Sequence, residues 1–104
     1  MIVYNVTVNI SDDVHDEWLE WMNSVHIPEV LETGRFTGHR MSRVLSDDPE
    51  GRTYAIQYHC TSMKEYELYR DKHAPELQKK VVDKYKDKMV AFRTLLEVVG
   101  QSGS

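Results

Sequence analysis

The sequence predicts one α+β domain with the element order β-α-β-β-α-β. Three observations predict it. A short motif, His-x-Pro-Glu, occurs twice, as His26-Ile27-Pro28-Glu29 and as His73-Ala74-Pro75-Glu76. Each copy follows a helical stretch with an aromatic pair, Trp18 and Trp21 before the first and Tyr66 and Tyr69 before the second. Each copy also lies between runs with strand-like apolar alternation. The chain thus reads as one β-α-β unit written twice.

Bulk properties bound the function classes. At 104 residues the chain holds one core and one domain, expected over 1–99. Its net charge of −4 argues against a nucleic-acid binder, which needs a basic surface. No apolar run is long enough to span a membrane, and Met1-Ile2-Val3-Tyr4 leads straight into a strand without a signal-peptide pattern. Cys60 is alone, so no internal disulfide can form, and a cytoplasmic protein is expected. The small polar residues 100–104 read as a disordered tail outside the domain.

The first strand runs to Ile10. Ile2, Tyr4, Val6, Val8 and Ile10 share one face; Val3, Asn5, Thr7 and Asn9 share the other. Ser11-Asp12-Asp13 is helix-start chemistry, with Ser11 expected to cap free amides. Val14, Trp18, Trp21, Met22 and Val25 follow at helical spacing. Pro28 predicts a kink or stop near His26 and then opens a short second segment, which Gly34 closes. Residues 36–46 form a second strand, 47–51 a turn, and 52–61 a third strand, with Tyr54, Ile56, Tyr58 and Cys60 facing inward. Ser62 and Glu65 form a capping box at the next helix start. Pro75 breaks that helix just after His73, and Ala74, Leu77, Val81 and Tyr85 continue an apolar stripe. The five lysines from Lys79 to Lys88 alternate with acids and read as a solvated face. Residues 89–99 form the last strand, with Val90, Phe92, Leu96 and Val98 assigned to the inner side and Arg93 and Glu97 to the outer.

This order is the ferredoxin-like, split-βαβ plan. It predicts a four-stranded antiparallel sheet, order 4-1-3-2, with two kinked helices on one face. The other face is then expected to carry Val3, Ala55, Leu95 and Val99, with Met41 and Leu45 or Val44 according to the phase of the second strand. Polar Asn5, Thr7, Gln57, His59, Arg93 and Glu97 lie among them. A face this apolar predicts a cover, and the simplest is a second copy of the same sheet, giving a homodimeric α/β barrel.

The strand Met1 to Val8, the run from Trp18 through His26-Ile27-Pro28, the run Thr53 to Tyr58, His73-Ala74-Pro75 and the run Ala91 to Leu96 together carry a resemblance. The chain resembles a family of short bacterial proteins known only as a domain of unknown function, over residues 1–99. Its plan is also similar to the dimeric α/β-barrel superfamily. That superfamily includes small monooxygenases, muconolactone-type isomerases, haem-binding chlorite dismutase-like proteins and ligand-sensing regulatory domains. The resemblance implies an architecture; function follows only by analogy.

Two sets of residues are candidates for chemistry. His26 and His73 each end a helical segment at a break in backbone bonding, where a ring that titrates near neutrality could serve as a general base. The competing reading is that each proline kinks its helix and the ring bonds the freed carbonyls. The duplication favours the latter, because a kink should recur in both halves and a base need not. His26 with Glu29 and His73 with Glu76 are i, i+3 pairs that could in principle hold a metal, but a proline disturbs each face and no metal is expected. The second set is Asn5, Thr7, Gln57, His59 and Arg93 on the open sheet face, joined by Glu97 and by His39 or Arg43. It reads equally as a ligand pocket or as a polar seam of a dimer. Trp18, Trp21, Tyr66 and Tyr69 read as packing residues, and Cys60 as a small buried hydrophobe. No nucleophile triad order, phosphate-cradling glycine loop or zinc spacing is present, and no cofactor is expected. The resulting expectation is a small-molecule binder, in the manner of a cofactor-independent oxygenase or isomerase, with a histidine as base and Arg93 holding an anionic group. The alternative is a non-enzymatic dimeric module for protein interaction.

Overall fold

The structure is a computed structural model that describes residues 1–45 and 51–103. Strand β1 spans Ile2–Ile10, β2 Gly38–Arg43, β3 Arg52–Cys60 and β4 Met89–Glu97. The first helical layer is continuous: a 3-10 turn at Asp12–Val14, α1 at His15–Trp21, a π turn at Met22–His26 and α2 at Ile27–Glu32. The second is α3 at Met63–Lys72 followed by α4 at Ala74–Tyr85. The expected turn residues Asp47, Asp48, Pro49 and Glu50 lie outside the described residues. Residues 98–103 form neither helix nor strand.

The fold is the ferredoxin-like one. The sheet has the order β2-β3-β1-β4 with antiparallel pairs throughout, which is the predicted order read from its other edge. Trp18, Met22, Ile27 and Val30 from the first layer share one core with Tyr69, Ala74, Leu77 and Tyr85 from the second. Both layers close on Ile2, Tyr4, Val8 and Ile10 of β1 and on Tyr54, Ile56, Tyr58 and Cys60 of β3. Helices therefore cover one face only. Cys60 is free and buried, as its phase on β3 implies.

The two proline motifs produce different backbones. At the first, the helix widens rather than stops: the Ile27 amide donates to the Met22 carbonyl, five residues back. Pro28 brings no amide hydrogen, and the widened turn absorbs the lost bond. Gly34, at φ +77°, then ends α2 as expected. At the second, His73 alone leaves helical geometry, at φ −123° and ψ −40°. The helix starts also differ. Ser11 makes no side-chain cap; its amide donates to the Lys88 carbonyl (2.8 Å) and ties the 3-10 turn to the start of β4. Ser62 does cap, accepting from the Glu65 amide at 3.4 Å. The Glu65 carboxylate binds Arg35 Nη1 instead (3.2 Å), so half the expected box forms.

The phase expected for β4 is overturned, and with it the placing of Arg93 and Glu97, and of His39 or Arg43, on the open face. The register pairs Val6 with Arg93, Val8 with Ala91, Tyr4 with Leu95 and Ile2 with Glu97. Paired residues point to the same side of a sheet, so Arg93, Leu95 and Glu97 belong to the helix-covered face. Val90, Phe92 and Leu96, paired with Asn9, Thr7 and Val3, belong to the open face. The outer side of β4 is the more apolar of its two sides, so choosing the more apolar phase as the inner one inverted the strand. In β2, Met41 pairs with Ile56 and faces the helices, as do His39 and Arg43 by their pairing with Tyr58 and Tyr54.

Candidate functional site

A cavity of about 40 Å³ lies between the sheet and the helices. Alternation on the strands supplies its floor, with Tyr4, Val6 and Val8 from β1, Ile56 and Tyr58 from β3 and Met89, Ala91 and Arg93 from β4. Trp18, Met22, His26 and Val30 form one wall at steps of four residues. In a regular α-helix each such step turns the face by about 40°. The π turn between Met22 and His26 widens the helix at that point and keeps His26 on the cavity side with Trp18. Tyr69, Gln78 and Val81 close the remaining wall.

Two buried polar atoms on this lining have no hydrogen-bond partner among the described residues: Trp18 Nε1 and His26 Nδ1. Trp18 is 0 % exposed and His26 9 %. An orphaned buried polar atom costs about 1–3 kcal/mol, and both of these are packed out of contact with water. The His26 ring stacks on Trp21 at 5.3 Å between centroids. Burial lowers its pKa from 6.5 to about 4; Glu29 opposes the shift, while Lys80 and Arg93 add to it. The imidazole is therefore neutral at pH 7, and the same burial opposes its taking up a proton. Glu29 itself is engaged by Lys80 Nζ at 2.7 Å.

Opposite stands a polar pair from adjacent strands. Arg93 Nε donates to the Tyr4 hydroxyl at 3.1 Å. Burial raises the Tyr4 pKa, partly offset by the Arg93 charge. Burial also pushes Tyr58 and Tyr69 far up, so these phenols keep their protons. Tyr4, Phe36, Tyr58, Tyr66 and Tyr69 pack as one aromatic cluster, with Phe36 and Tyr69 closest at 4.8 Å.

The sequence-predicted residues divide. His26 and Arg93 come together at the cavity. His73 does not: it is half-buried at the start of α4, its ring stacked 6.4 Å from Tyr69. Asn5, Thr7, Gln57 and His59 lie on the uncovered sheet face, away from Arg93, with Asn5 Nδ2 donating to Thr7 Oγ1 at 3.0 Å. Among the described residues no three His, Cys, Asp or Glu side chains gather as a metal site. No helix is long and apolar enough to cross a membrane.

Sequence reasoning missed Tyr4, Tyr58 and Gln78 as site residues and took Trp18 and Tyr69 for packing alone. Trp18 and Tyr69 are indeed core residues, and they line the cavity as well. The available signal was the run of tyrosines in the inner phase of β1 and β3, where each hydroxyl needs a buried partner. It also missed His15, which is buried with Nε2 2.6 Å from the Tyr54 hydroxyl and Nδ1 2.8 Å from Asp16. That ring is fully engaged and stands outside the cavity lining.

The profile of the family described as "Domain of unknown function (DUF4286)" matches residues 1–99. The chain belongs to this family. No curated protein matches it in sequence. Solved structures match it in fold. A dimeric ferredoxin-like protein from an uncultured marine organism superposes with a TM-score of 0.75 at 12% identity, covering 100% of each chain. A variant of MhuD with two manganese protoporphyrin IX molecules bound per active site gives 0.69 at 16%, again with 100% of each chain covered. A candidate antibiotic biosynthesis monooxygenase from Nitrosomonas europaea gives 0.61 at 16%, covering 96% of this chain and 100% of the other. The likeness is one of fold.

Proposed function

We propose that this protein binds a small organic molecule in the cavity between sheet and helices, and that it works as a homodimer joined through the open sheet face. The single observation behind the first part is one largely apolar cavity whose lining brings His26, Arg93 and the tyrosines Tyr4, Tyr58 and Tyr69 together. A mostly apolar lining with a few convergent polar groups is the usual make-up of a small-molecule site. His26 is the proton acceptor of this reading. Burial and the Arg93 charge oppose protonation of its neutral imidazole, so as the base of a cofactor-independent oxygenase or isomerase it would act only on an acidic group of a bound substrate. The fold neighbours with a porphyrin ligand and a monooxygenase name support the same class by analogy. The dimer reading rests on the open face, where Phe92 is 66 % and Val90 55 % exposed. In such a dimer Asn5, Thr7, Gln57 and His59 become seam residues, and His73 remains a fixture of the α3–α4 break.

A second reading has its own support. Ligand sites usually enclose roughly 300–1,000 Å³, and this cavity holds about 40 Å³. A protein-interaction module needs no larger one. A thermal-shift screen separates the two, with wild type and His26→Gln run against small carboxylates, phenols, quinones and haem. At a hundredfold excess over Kd a ligand adds about 2.7 kcal/mol, enough to raise the midpoint by roughly 10 °C in a domain of this size. We expect one class to do so for the wild type and to lose its effect in the folded His26→Gln protein. A flat response to every class overturns the small-molecule reading and leaves the interaction module.

A further inference from the structure

We infer that Glu29 is the positioning residue for His26, the counter-charge its ring needs to take up a proton, and that Lys80 withholds it; this rests on the reading of His26 as the base of a small-molecule site. The first His-x-Pro-Glu motif sets the geometry. His26 and Ile27 both keep right-handed helical backbone angles, and α2 runs on through Glu29. Positions i and i+3 of a helix are neighbours, about 5–6 Å apart at Cβ. Helical side chains lean towards the N-terminus, so Glu29 reaches back over the turn that carries His26. Its carboxylate is the largest charge acting on the ring and favours the protonated form, while Lys80 of α4 and Arg93 of β4 oppose it. Tyr4, Tyr58 and Tyr69, which share the cavity lining with His26, are held protonated by burial and carry no charge. His26 Nδ1 has no partner among the described residues.

Lys80 accounts for the missing partner. Its Nζ lies 2.7 Å from Glu29 Oε2 and bridges α4 to α2. The Glu29 hydrogen bond and charge raise the Lys80 pKa, and the charge of Glu76 adds to the rise. Glu76 belongs to the second His-x-Pro-Glu motif and sits four residues before Lys80 on α4. Glu then Lys at i, i+4 is the favourable order for a pair along one helix. Lys80 thus stands between the carboxylates of both motifs. The Lys80 and Glu29 side chains are 55 % and 30 % exposed, and an ion pair open to water is weakly held. When Lys80 turns to Glu76, the Glu29 carboxylate is free to accept from His26 Nδ1–H. A proton leaving an acidic group of the substrate then goes to Nε2, its electron pair stays on the substrate, and Glu29 balances the imidazolium charge. While Lys80 stays on Glu29, burial keeps the ring neutral. The first motif supplies base and counter-charge; the second supplies the carboxylate that draws Lys80 away.

The test is a ¹H–¹⁵N titration of the His26 ring in the full chain, with His26→Gln used to assign it. Lys80→Met removes the competing ammonium, and Glu29→Ala removes the carboxylate. Loss of the Lys80 charge by itself raises the ring's midpoint with or without Glu29; release of Glu29 raises it only where Glu29 is present. We expect Lys80→Met to raise the midpoint by about one pH unit more in the protein that keeps Glu29 than in Glu29→Ala, a gain of about tenfold in proton affinity. Lys80→Arg, which keeps the pair, should leave the midpoint unchanged. At pH 7 the ¹⁵N shifts of Lys80→Met should place the proton of the neutral ring on Nδ1. An equal rise with and without Glu29, or a Lys80→Met ring with Nδ1 unprotonated, overturns the inference. Glu76→Gln should lower the midpoint of the wild type, and no change strikes Glu76 from the exchange. None of these readings needs a ligand. The inference can therefore fail while the thermal-shift screen still finds one, and a flat screen removes the small-molecule reading without touching the titration.

Discussion

His26 shows how one side chain acquires a chemical character from its position. The ring is buried by α1, the π turn and the sheet, so desolvation holds its pKa near 4. Above pH 6.5 neither the folded nor the unfolded chain protonates this ring, and its contribution to stability is complete. As pH falls from 6.5 towards 4 the unfolded chain takes up the proton while the folded chain does not, so stability declines. Below 4 both forms are protonated and the decline stops. We therefore expect the wild type to lose up to about 3 kcal/mol more than His26→Gln between pH 7 and pH 4, measured by urea unfolding at both pH values. Equal losses would mean that the ring is not held neutral by burial. The sequence presented His26 and His73 as equals because the motif repeats. What separates them is backbone geometry: a widened turn keeps one ring on the cavity, and a single non-helical residue leaves the other beside Tyr69. Nothing in the side-chain pattern carries that difference. Trp18 was legible as a core residue from its spacing, but whether its N–H finds a partner depends on three-dimensional neighbours and could not be read.

The elements were legible in proportion to how local their causes are. The alternation of β1 and β3, the break at His73 before Pro75 and the terminal glycine of α2 each depend on a few adjacent residues, and the structure matches them; at Pro28 the helix continues through Ile27 in helical geometry instead of breaking. The phase of β4 was not legible, because both of its sides are partly apolar and the choice is made by partners on β1. The tie from the Ser11 amide to the Lys88 carbonyl helps set that register. Two glycines make the local rule testable. Gly34 and Gly51 have nearly the same positive φ, +77° and +79°. A methyl group at Gly34 would meet nothing within 4 Å, whereas one at Gly51 would lie 2.8 Å from the Ile10 carbonyl oxygen and from Asn9 Oδ1. We expect Gly34→Ala to destabilise by about 1 kcal/mol, from the left-handed backbone alone, and Gly51→Ala by roughly 2–3 kcal/mol, because backbone must also move. Thermal unfolding of the two variants checks this; equal costs would remove the steric part of the argument.

At the scale of the whole molecule the chain has one covered sheet face and one bare face. The order β-α-β-β-α-β, with its internal repeat, was enough to read that architecture, since two helical crossovers on a four-stranded antiparallel sheet leave one face open. Which residues occupy the open face was read correctly for β1 and β3 and inverted for β4. The corrected face still calls for a cover, because Val90, Phe92 and Leu96 now line its β4 edge. We expect the wild type to sediment as a dimer at micromolar concentration and Phe92→Glu to sediment as a monomer with unchanged circular dichroism. A monomeric wild type would contradict the homodimer. The same two-sidedness sets two locations for ligand chemistry against each other: the inner cavity around His26 and Arg93, and the open-face group of Asn5, Thr7, Gln57 and His59. Backbone amide shift mapping of the full chain, against whichever compound gives the largest thermal shift, distinguishes them most directly. We expect the perturbed amides to centre on Tyr4, Trp18, His26 and Arg93. Perturbations centred instead on Gln57 and His59 would contradict the inner cavity as the site and move the chemistry to the seam between two sheets.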